Sequence, residues 1–268
     1  MPSLFLGVSE SNLHCETCAL VKSYRSSYPS IFQSSTMPFE LIHSDVWGPS
    51  KHSTLSGMRY FVLFIDDFTR LSWVVLLKSK DSVFSAFTAF HKLVRTQYDA
   101  HVKVFRSDNG GEFVNHSFHE YFQHHGIIHQ TSCPQTPEQN GVSERKNRHL
   151  LDMARSLLLS ANMPKYLWGD AVLCASHLIN RLPSVPLQGR VPLEVLSNYV
   201  SIPSSNTLPA HVFGYIAYVH LYKNQRSKLD ARALKCVFVG FIWFSSERLQ
   251  MLSSSIPEVL CHHGCYVQ

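Results

Sequence analysis

The chain has 268 residues, which is enough for one large or two modest domains with a sizeable buried core. Its net charge of +5, with 16 further histidines, permits a nucleic-acid partner without requiring one. The apolar runs are too short to cross a bilayer, the N-terminus lacks a signal-peptide pattern and the seven cysteines are irregularly spaced, so we expect an intracellular, soluble protein with no membrane partner.

Strand patterns begin near Phe39, after a serine-rich segment (residues 1–36) that shows no apolar periodicity. Three runs of β-branched and aromatic residues follow, and Asp67–Arg70 lies between the second and third as a hairpin turn would. Residues 81–99 then repeat apolar side chains at helical spacing. This part of the chain is therefore predicted to form three strands followed by a helix.

Two more strands and two more helices are predicted next. VKVFRS indicates a fourth strand, a short helix ends at Gly126, IIHQTS indicates a fifth strand, and an apolar stripe from Gly141 to about Ala161 predicts a long helix. This order indicates an α/β protein with a mixed five-stranded sheet flanked by helices. Active sites of such sheets lie at the carboxyl ends of strands, where both Asp45 and Asp108 fall.

The last third of the chain has a different pattern. One more helix ends at Pro183, and residues 183–210 carry five prolines, which is typical of a linker. Residues 211–242 resume short strand-like runs, which favour a small β-barrel. We therefore expect a second, smaller β region after the main sheet.

Three acidic residues form the candidate site. Asp45 and Asp108 each end a strand-like run before a loop that contains glycine, and Glu144 lies on the long basic helix. Carboxylate oxygens suit Mg²⁺ or Mn²⁺, and two such ions about 3.5–4 Å apart can flank a reacting phosphate. Without a cation, three neighbouring carboxylates would repel one another and raise each other's pKa. The three residues therefore predict metal-dependent phosphodiester chemistry.

A solvent-exposed role is the simpler alternative for each of these residues, because an acid at a strand end or on a helix usually faces water. Asp66, Asp67 and Glu112 are competing carboxylates in the same region. Asp67 is most simply a turn residue, and Glu112 is most simply a solvated loop residue. Spacing alone leaves the choice among these carboxylates open.

Several sequence blocks resemble the integrase region of a copia-type LTR retrotransposon polyprotein, in the retroviral integrase superfamily with its RNase H-like core. The similarity covers about residues 15–241. The matching blocks are Cys15-x-x-Cys18, HSDVWGP at 43–49, FIDDFTR at 64–70, RSDNGGEF at 106–113, EQNGVSERKNR at 138–148, LW at 167–168, INRLP at 179–183, and VFG through KLD to FVG at 212–240.

The resemblance implies both a site and an activity. It implies that Asp45, Asp108 and Glu144 are a catalytic, metal-binding triad that holds two Mg²⁺ (or Mn²⁺) ions. It further implies 3′-end processing by water and strand transfer by a DNA 3′-hydroxyl. Residues 37–182 are then the RNase H-like catalytic core, and residues 211–242 a small SH3-like β region.

The resemblance also implies DNA beside the long helix. Cationic side chains next to the catalytic carboxylate would neutralise phosphates, and polar side chains in the preceding loop would add contacts. The alternative is a solvated helix face on which Glu144 and Arg148 form an i,i+4 pair. The predicted DNA contacts are Gln139, Asn140, Arg145, Lys146, Asn147 and Arg148.

Both ends of the chain depart from the family pattern. The family has a zinc module before the core, of which residues 1–36 retain only Cys15 and Cys18. Two thiols do not complete a four-ligand structural site, so we expect no zinc there. Residues 243–268 lose the resemblance, as the end of a frameshifted or truncated copy would.

Two classes of function follow from this pattern. One is an integrase core that binds element ends and target DNA, acts as a homo-oligomer, and works in the nucleus after a cytoplasmic particle stage, although no targeting signal is recognisable. The other is a non-catalytic DNA-binding remnant or a co-opted transposon-derived protein. The intact triad favours the first class, and the altered ends favour the second.

Overall fold

The described residues belong to one compact unit, Ser35–Gln268, of a computed structural model. The predicted Cys15 and Cys18 pair and the Gln139 and Asn140 contacts lie outside these residues. No helix in the described part of the chain is long and apolar enough to span a membrane. The structure describes residues 35–132, 141–202, 211–242, 248–253 and 259–261.

The predicted mixed five-stranded sheet is confirmed. Its order is β3-β2-β1-β4-β5; β1, β2 and β3 pair antiparallel, whereas β4 runs parallel to both β1 and β5. The strand β1 therefore lies at the centre, between the antiparallel and parallel halves. The strands are β1 (Leu41–Trp47), β2 (Tyr60–Asp66), β3 (Ser72–Leu77), β4 (Val104–Ser107) and β5 (Ile128–Thr131).

Helices cover both faces of this sheet. The second helix is capped at both ends. The side chain of Asn115, just before it, accepts the Phe118 N–H at 3.1 Å, and the predicted Gly126, just after it, has a left-handed φ of 67°. The helices are α1 (Val83–Gln97), α2 (His116–His125), α3 (Gly141–Ser160), α4 (Trp168–Ile179) and α5 (Pro192–Ser197).

Alternation along β2 divides the core into two layers. Val62 and Phe64 pack with α1 and α2, whereas Phe61, Leu63 and Ile65 pack with α3 and α4. Because successive side chains of a strand point to opposite faces, a strand covered on both sides must be apolar throughout. This explains the unbroken apolar run that predicted the strand.

The segment after α4 differs from the predicted linker. It contains α5, in which Pro192 occupies the first turn and Leu196 is fully buried in the core layer of α1. The Leu193 N–H also donates to the Asn180 carbonyl at 3.0 Å. Residues 192–200 therefore pack against the main fold instead of leading away from it.

A second, antiparallel sheet follows, with the order β6-β7-β8-β9. Phe213 and Val239 join the core layer of α3 and α4, so this sheet packs directly on the main fold. The predicted small β region is thereby confirmed, but β8 and β9 come from the segment assigned to a divergent tail. The strands are β6 (Ile216–His220), β7 (Ala233–Ile242), β8 (Arg248–Ser253) and β9 (Val259–Cys261).

Candidate active site

Strand register brings Asp45 and Asp108 together. The parallel strands β1 and β4 pair Leu41 with Val104 and His43 with Arg106. Two residues further along, Asp45 lies beside Asp108, which directly follows β4. Adjacent strands are about 4.8 Å apart, so the two carboxylates are neighbours at the same edge of the sheet.

Helix α3 adds the third carboxylate. Asp45 pairs across β2 with Leu63, which belongs to the core layer of α3 and α4, so Asp45 faces this helix. Glu144 lies in the first turn of α3 and is exposed. Its charge acts on Asp45 in the same direction as the charge of Asp108. Asp108 and Glu144 therefore both lie within electrostatic reach of Asp45.

The Asp45 carboxylate is partly buried and short of positive partners. Burial, followed by the negative charges of Asp108 and Glu144, raises its pKa to about 6. Two donors oppose this shift: the Val46 N–H at 2.8 Å and the Asn147 side-chain amide at 2.5 Å. Like-charge repulsion thus remains in the site, and a bound cation would relieve it.

The loop after β4 holds a second acidic residue close to Asp108. A Cβ at Gly110 would lie 2.7 Å from a carboxylate oxygen of Glu112 and 3.0 Å from one of Asp108, so both carboxylates approach the backbone of this loop. Glu112 is not the predicted solvated residue: its side chain is 10% exposed and pairs with Lys80 at 2.7 Å. The hydrogen bond to Glu112, with the negative charges of Glu112 and Asp108, raises the pKa of Lys80.

The other competing carboxylates are held by protein groups. Asp66 accepts hydrogen bonds from the Phe39 N–H, the Thr69 N–H and the Thr69 hydroxyl. Asp67 is buried, accepts a hydrogen bond from His43 at 3.0 Å and forms an ion pair with Arg70 at 3.1 Å. Asp67 is therefore more than a turn residue, since it ties the β2–β3 turn to β1.

The donor chemistry of the three residues fits a hard divalent cation, but the side chains are not arranged as a ligand set. In the part of the chain that the structure describes, no group of three or more His, Cys, Asp or Glu side chains could hold a metal ion. One further oxygen is available, because no donor among the described residues reaches the buried Oδ1 of Asn147. Metal binding by Asp45, Asp108 and Glu144 stays a prediction.

Comparison with known families decides what kind of protein contains this site. Residues 35–137 match the integrase core domain family, and residues 215–242 match the retroviral polymerase SH3-like domain family. The chain therefore contains an integrase core domain followed by a retroviral polymerase SH3-like domain. The first matched region contains all five strands of the main sheet, and the second contains β6 and β7 of the second sheet.

The integrase chain has relatives among plant transposons. It is 42% identical over 227 residues to the retrovirus-related Pol polyprotein from transposon TNT 1-94 of Nicotiana tabacum, which covers 85% of this chain and 17% of that polyprotein. It is 40% identical over 236 residues to the corresponding polyprotein from transposon RE1 of Arabidopsis thaliana, covering 88% of this chain and 16% of that one. The chain thus spans about one sixth of these relatives.

A solved assembly shares the fold. The chain is similar to a chain of the simian T-cell lymphotropic virus intasome, determined in complex with the PP2A regulatory subunit B56 gamma. The TM-score is 0.51 at 14% identity, with 87% of this chain and 79% of that chain covered. This likeness extends to the fold and supports the integrase architecture.

The predicted DNA-contact residues of the integrase helix separate into two groups. Arg145 and Arg148 are exposed on the first turns of α3, beside Glu144. Asn147 is buried and donates to Asp45, and Lys146 donates to the Arg70 carbonyl at 3.0 Å. Burial and the charge of Arg70 lower the pKa of Lys146 to about 8. Of the four predicted contacts that the structure describes, only the two arginines therefore face the solvent as predicted.

Sequence reasoning missed the partners of the integrase carboxylates. Asn147 follows Glu144 by three residues, so both lie on one helical face, and this spacing could have indicated a shared site. The Lys80–Glu112 pair joins the start of α1 to the loop after β4, and no local pattern announces it. Such pairs depend on tertiary packing alone.

Proposed function

We propose that this chain is the integrase catalytic core of an LTR retrotransposon and carries out metal-dependent 3′-processing and DNA strand transfer. The observation that carries the proposal is the parallel register of β1 and β4, which continues to Asp45 and Asp108, together with the charge of the exposed Glu144 acting on Asp45. Three converging carboxylates in an integrase core favour this chemistry over a purely structural role.

Asp45, Asp108 and Glu144 are the residues that would hold two Mg²⁺ or Mn²⁺ ions. When bound, such ions supply charge neutralisation at the reacting phosphate and a more acidic attacking hydroxyl. The chain's own groups set this site. Asn147 orients the Asp45 carboxylate through its amide, and Gly110 lets the backbone pass close to Asp108 and Glu112.

DNA is the proposed partner, both as element end and as target. Arg145 and Arg148 are exposed on the helix that carries Glu144, where they would neutralise backbone phosphates and make binding salt-dependent. Gln139 and Asn140 are proposed as further contacts from the segment before α3. A homo-oligomer acting in the nucleus follows from the same proposal.

A strand-transfer assay tests this function. The purified chain is incubated with Mg²⁺ or Mn²⁺ and a labelled duplex that ends like a long terminal repeat, and joined products are resolved on a gel. We expect product with the wild type and a loss on the order of 10³-fold or more with Asp108→Asn or Glu144→Gln, because triad members act as a unit.

A matched variant on the same helix controls for nonspecific effects. Asp152 is exposed and pairs only at the surface with Arg155, so Asp152→Asn should keep wild-type activity. Equal activity in Glu144→Gln would refute the triad. Absence of product with salt-dependent DNA binding would support the second candidate, a non-catalytic DNA-binding protein, which the exposed arginines also favour.

A further inference from the structure

Lys146 makes an internal contact instead of facing the solvent. It is only two residues from Glu144, yet its ammonium group donates to the backbone carbonyl of Arg70 at 3.0 Å. That carbonyl belongs to the β2–β3 turn, where Arg70 has a left-handed φ of 59°. The side chain therefore connects the beginning of α3 to a turn of the sheet that is distant in sequence.

The turn that receives Lys146 is itself tied to the strand of Asp45. The guanidinium of Arg70 pairs with Asp67 at 3.1 Å, and the same Asp67 oxygen accepts from His43 at 3.0 Å. His43 precedes Asp45 by two residues, so both side chains lie on the same face of β1. The path from β1 to α3 is thus built of short polar contacts.

A second, direct contact closes this path into a ring. Asn147 of α3 donates to the Asp45 carboxylate at 2.5 Å, next to Lys146 in the sequence. Strand β1 and helix α3 are therefore joined at two points, one through Asn147 and one through Lys146 and the turn. Two contacts prevent the rotation of α3 that a single contact would allow. The ring consists of Asp45, His43, Asp67, Arg70, Lys146 and Asn147.

We propose that Lys146 is a positioning residue: it fixes the rotation of α3 so that Glu144 faces Asp45 and Asp108. It does so by anchoring the helix to the β2–β3 turn, and not by contacting DNA. The inference rests on the proposed function of the carboxylates and adds the device that sets their geometry. Outer groups that orient metal ligands typically change metal affinity or activity by about 10–100-fold when removed.

Lys146→Met is the test variant, because methionine keeps the aliphatic packing of the stem and removes the ammonium donor. Mn²⁺ binding is measured on the full chain by electron paramagnetic resonance, and DNA binding by fluorescence anisotropy at several salt concentrations. We expect Mn²⁺ affinity to fall about tenfold, with unchanged DNA affinity and salt slope. In strand transfer, kcat should fall while KM for DNA stays the same.

Arg148→Gln is the matched control, since Arg148 is an exposed cation on the same helix. Here DNA affinity should fall and the salt slope should decrease by about 0.9, with Mn²⁺ affinity unchanged. A second variant, Arg70→Asn, keeps a residue that tolerates the left-handed turn but removes the pair with Asp67. It should weaken Mn²⁺ binding in the same direction as Lys146→Met.

The inference is overturned if Lys146→Met reduces the DNA salt slope as Arg148→Gln does, or if it leaves Mn²⁺ affinity at the wild-type value. Circular dichroism and thermal melting confirm that each variant is folded. Failure of the proposed function gives a different result. If the wild type binds Mn²⁺ but joins no DNA ends, the proposed activity is refuted. The Mn²⁺ affinities of wild type and Lys146→Met would then still test the role of Lys146.

Discussion

Two aspartates, Asp45 on β1 and Asp67 in the β2–β3 turn, have opposite surroundings. Asp67 is met by His43, Arg70 and the Ser35 N–H; although burial raises its pKa, these partners lower it on balance. Asp45 is met by two hydrogen-bond donors and by the negative charges of Asp108 and Glu144, and its pKa is raised to about 6. The ionised carboxylate is therefore stabilised at Asp67 and destabilised at Asp45.

This difference is the one expected between structural carboxylates and the proposed metal-binding ones. A buried carboxylate with cationic partners contributes to the stability of the fold, and its removal leaves those partners unpaired. A carboxylate that faces other carboxylates lowers the stability of the fold. Proteins retain such a carboxylate where a bound cation compensates the charge. The surroundings of Asp45 therefore indicate function, and those of Asp67 indicate structure.

Removing the charge of Asp67 should have the largest effect on stability. Asp67→Asn leaves the guanidinium of Arg70 without its anion and weakens the hydrogen bond that His43 donates to this buried position. We expect a loss of about 3 kcal/mol in the free energy of unfolding at pH 7, measured by urea denaturation. A loss as small as that of an exposed pair, such as Asp152 with Arg155, would contradict the structural role.

The pH dependence of that loss checks its cause. The folded-state pKa of Asp67 lies below its ordinary value of 3.8, so its stabilisation is fully present above pH 3.8 and disappears as the pH falls through the folded-state pKa. The difference between wild type and Asp67→Asn should therefore be constant near neutrality and shrink in strong acid. A difference that grows in acid would refute this assignment.

Removing the charge of Asp45 should have the opposite sign and a smaller size. Since its folded-state pKa is raised from 3.8 to about 6, the charged form is penalised above pH 6 and the penalty is absent below pH 3.8. In metal-free buffer at pH 7.5, Asp45→Asn should increase the free energy of unfolding by about 1 kcal/mol. Destabilisation by Asp45→Asn would place Asp45 with Asp67 among the structural residues.

The sequence predicted the sheet more fully than the contacts of the site. All five strands of the main sheet could be predicted, most clearly β2, because a strand covered on both faces needs an unbroken apolar run. The ends of β1 and β4 located Asp45 and Asp108. The orientation of Lys146 and Asn147 depends on how α3 is rotated against β1, which the sequence alone does not determine.

The other errors also have physical causes. The proline-rich segment was assigned to a linker, but Pro192 occupies the first turn of α5, a position where proline favours a helix. Glu112 was assigned to solvent because its partner Lys80 lies on a different element. A tertiary contact overrides the local pattern at Glu112, whereas Pro192 follows a local preference for the first turn of a helix.

Calorimetric titration with Mg²⁺ of the full chain at pH 7.5 is the most direct test of the claim that Asp45, Asp108 and Glu144 form a divalent-cation site. The control is Glu112→Gln, whose carboxylate is nearby but already paired with Lys80. We predict that wild type and Glu112→Gln bind Mg²⁺ and that Asp45→Asn and Asp108→Asn do not. Equal binding by all four proteins, or by none, would contradict the account.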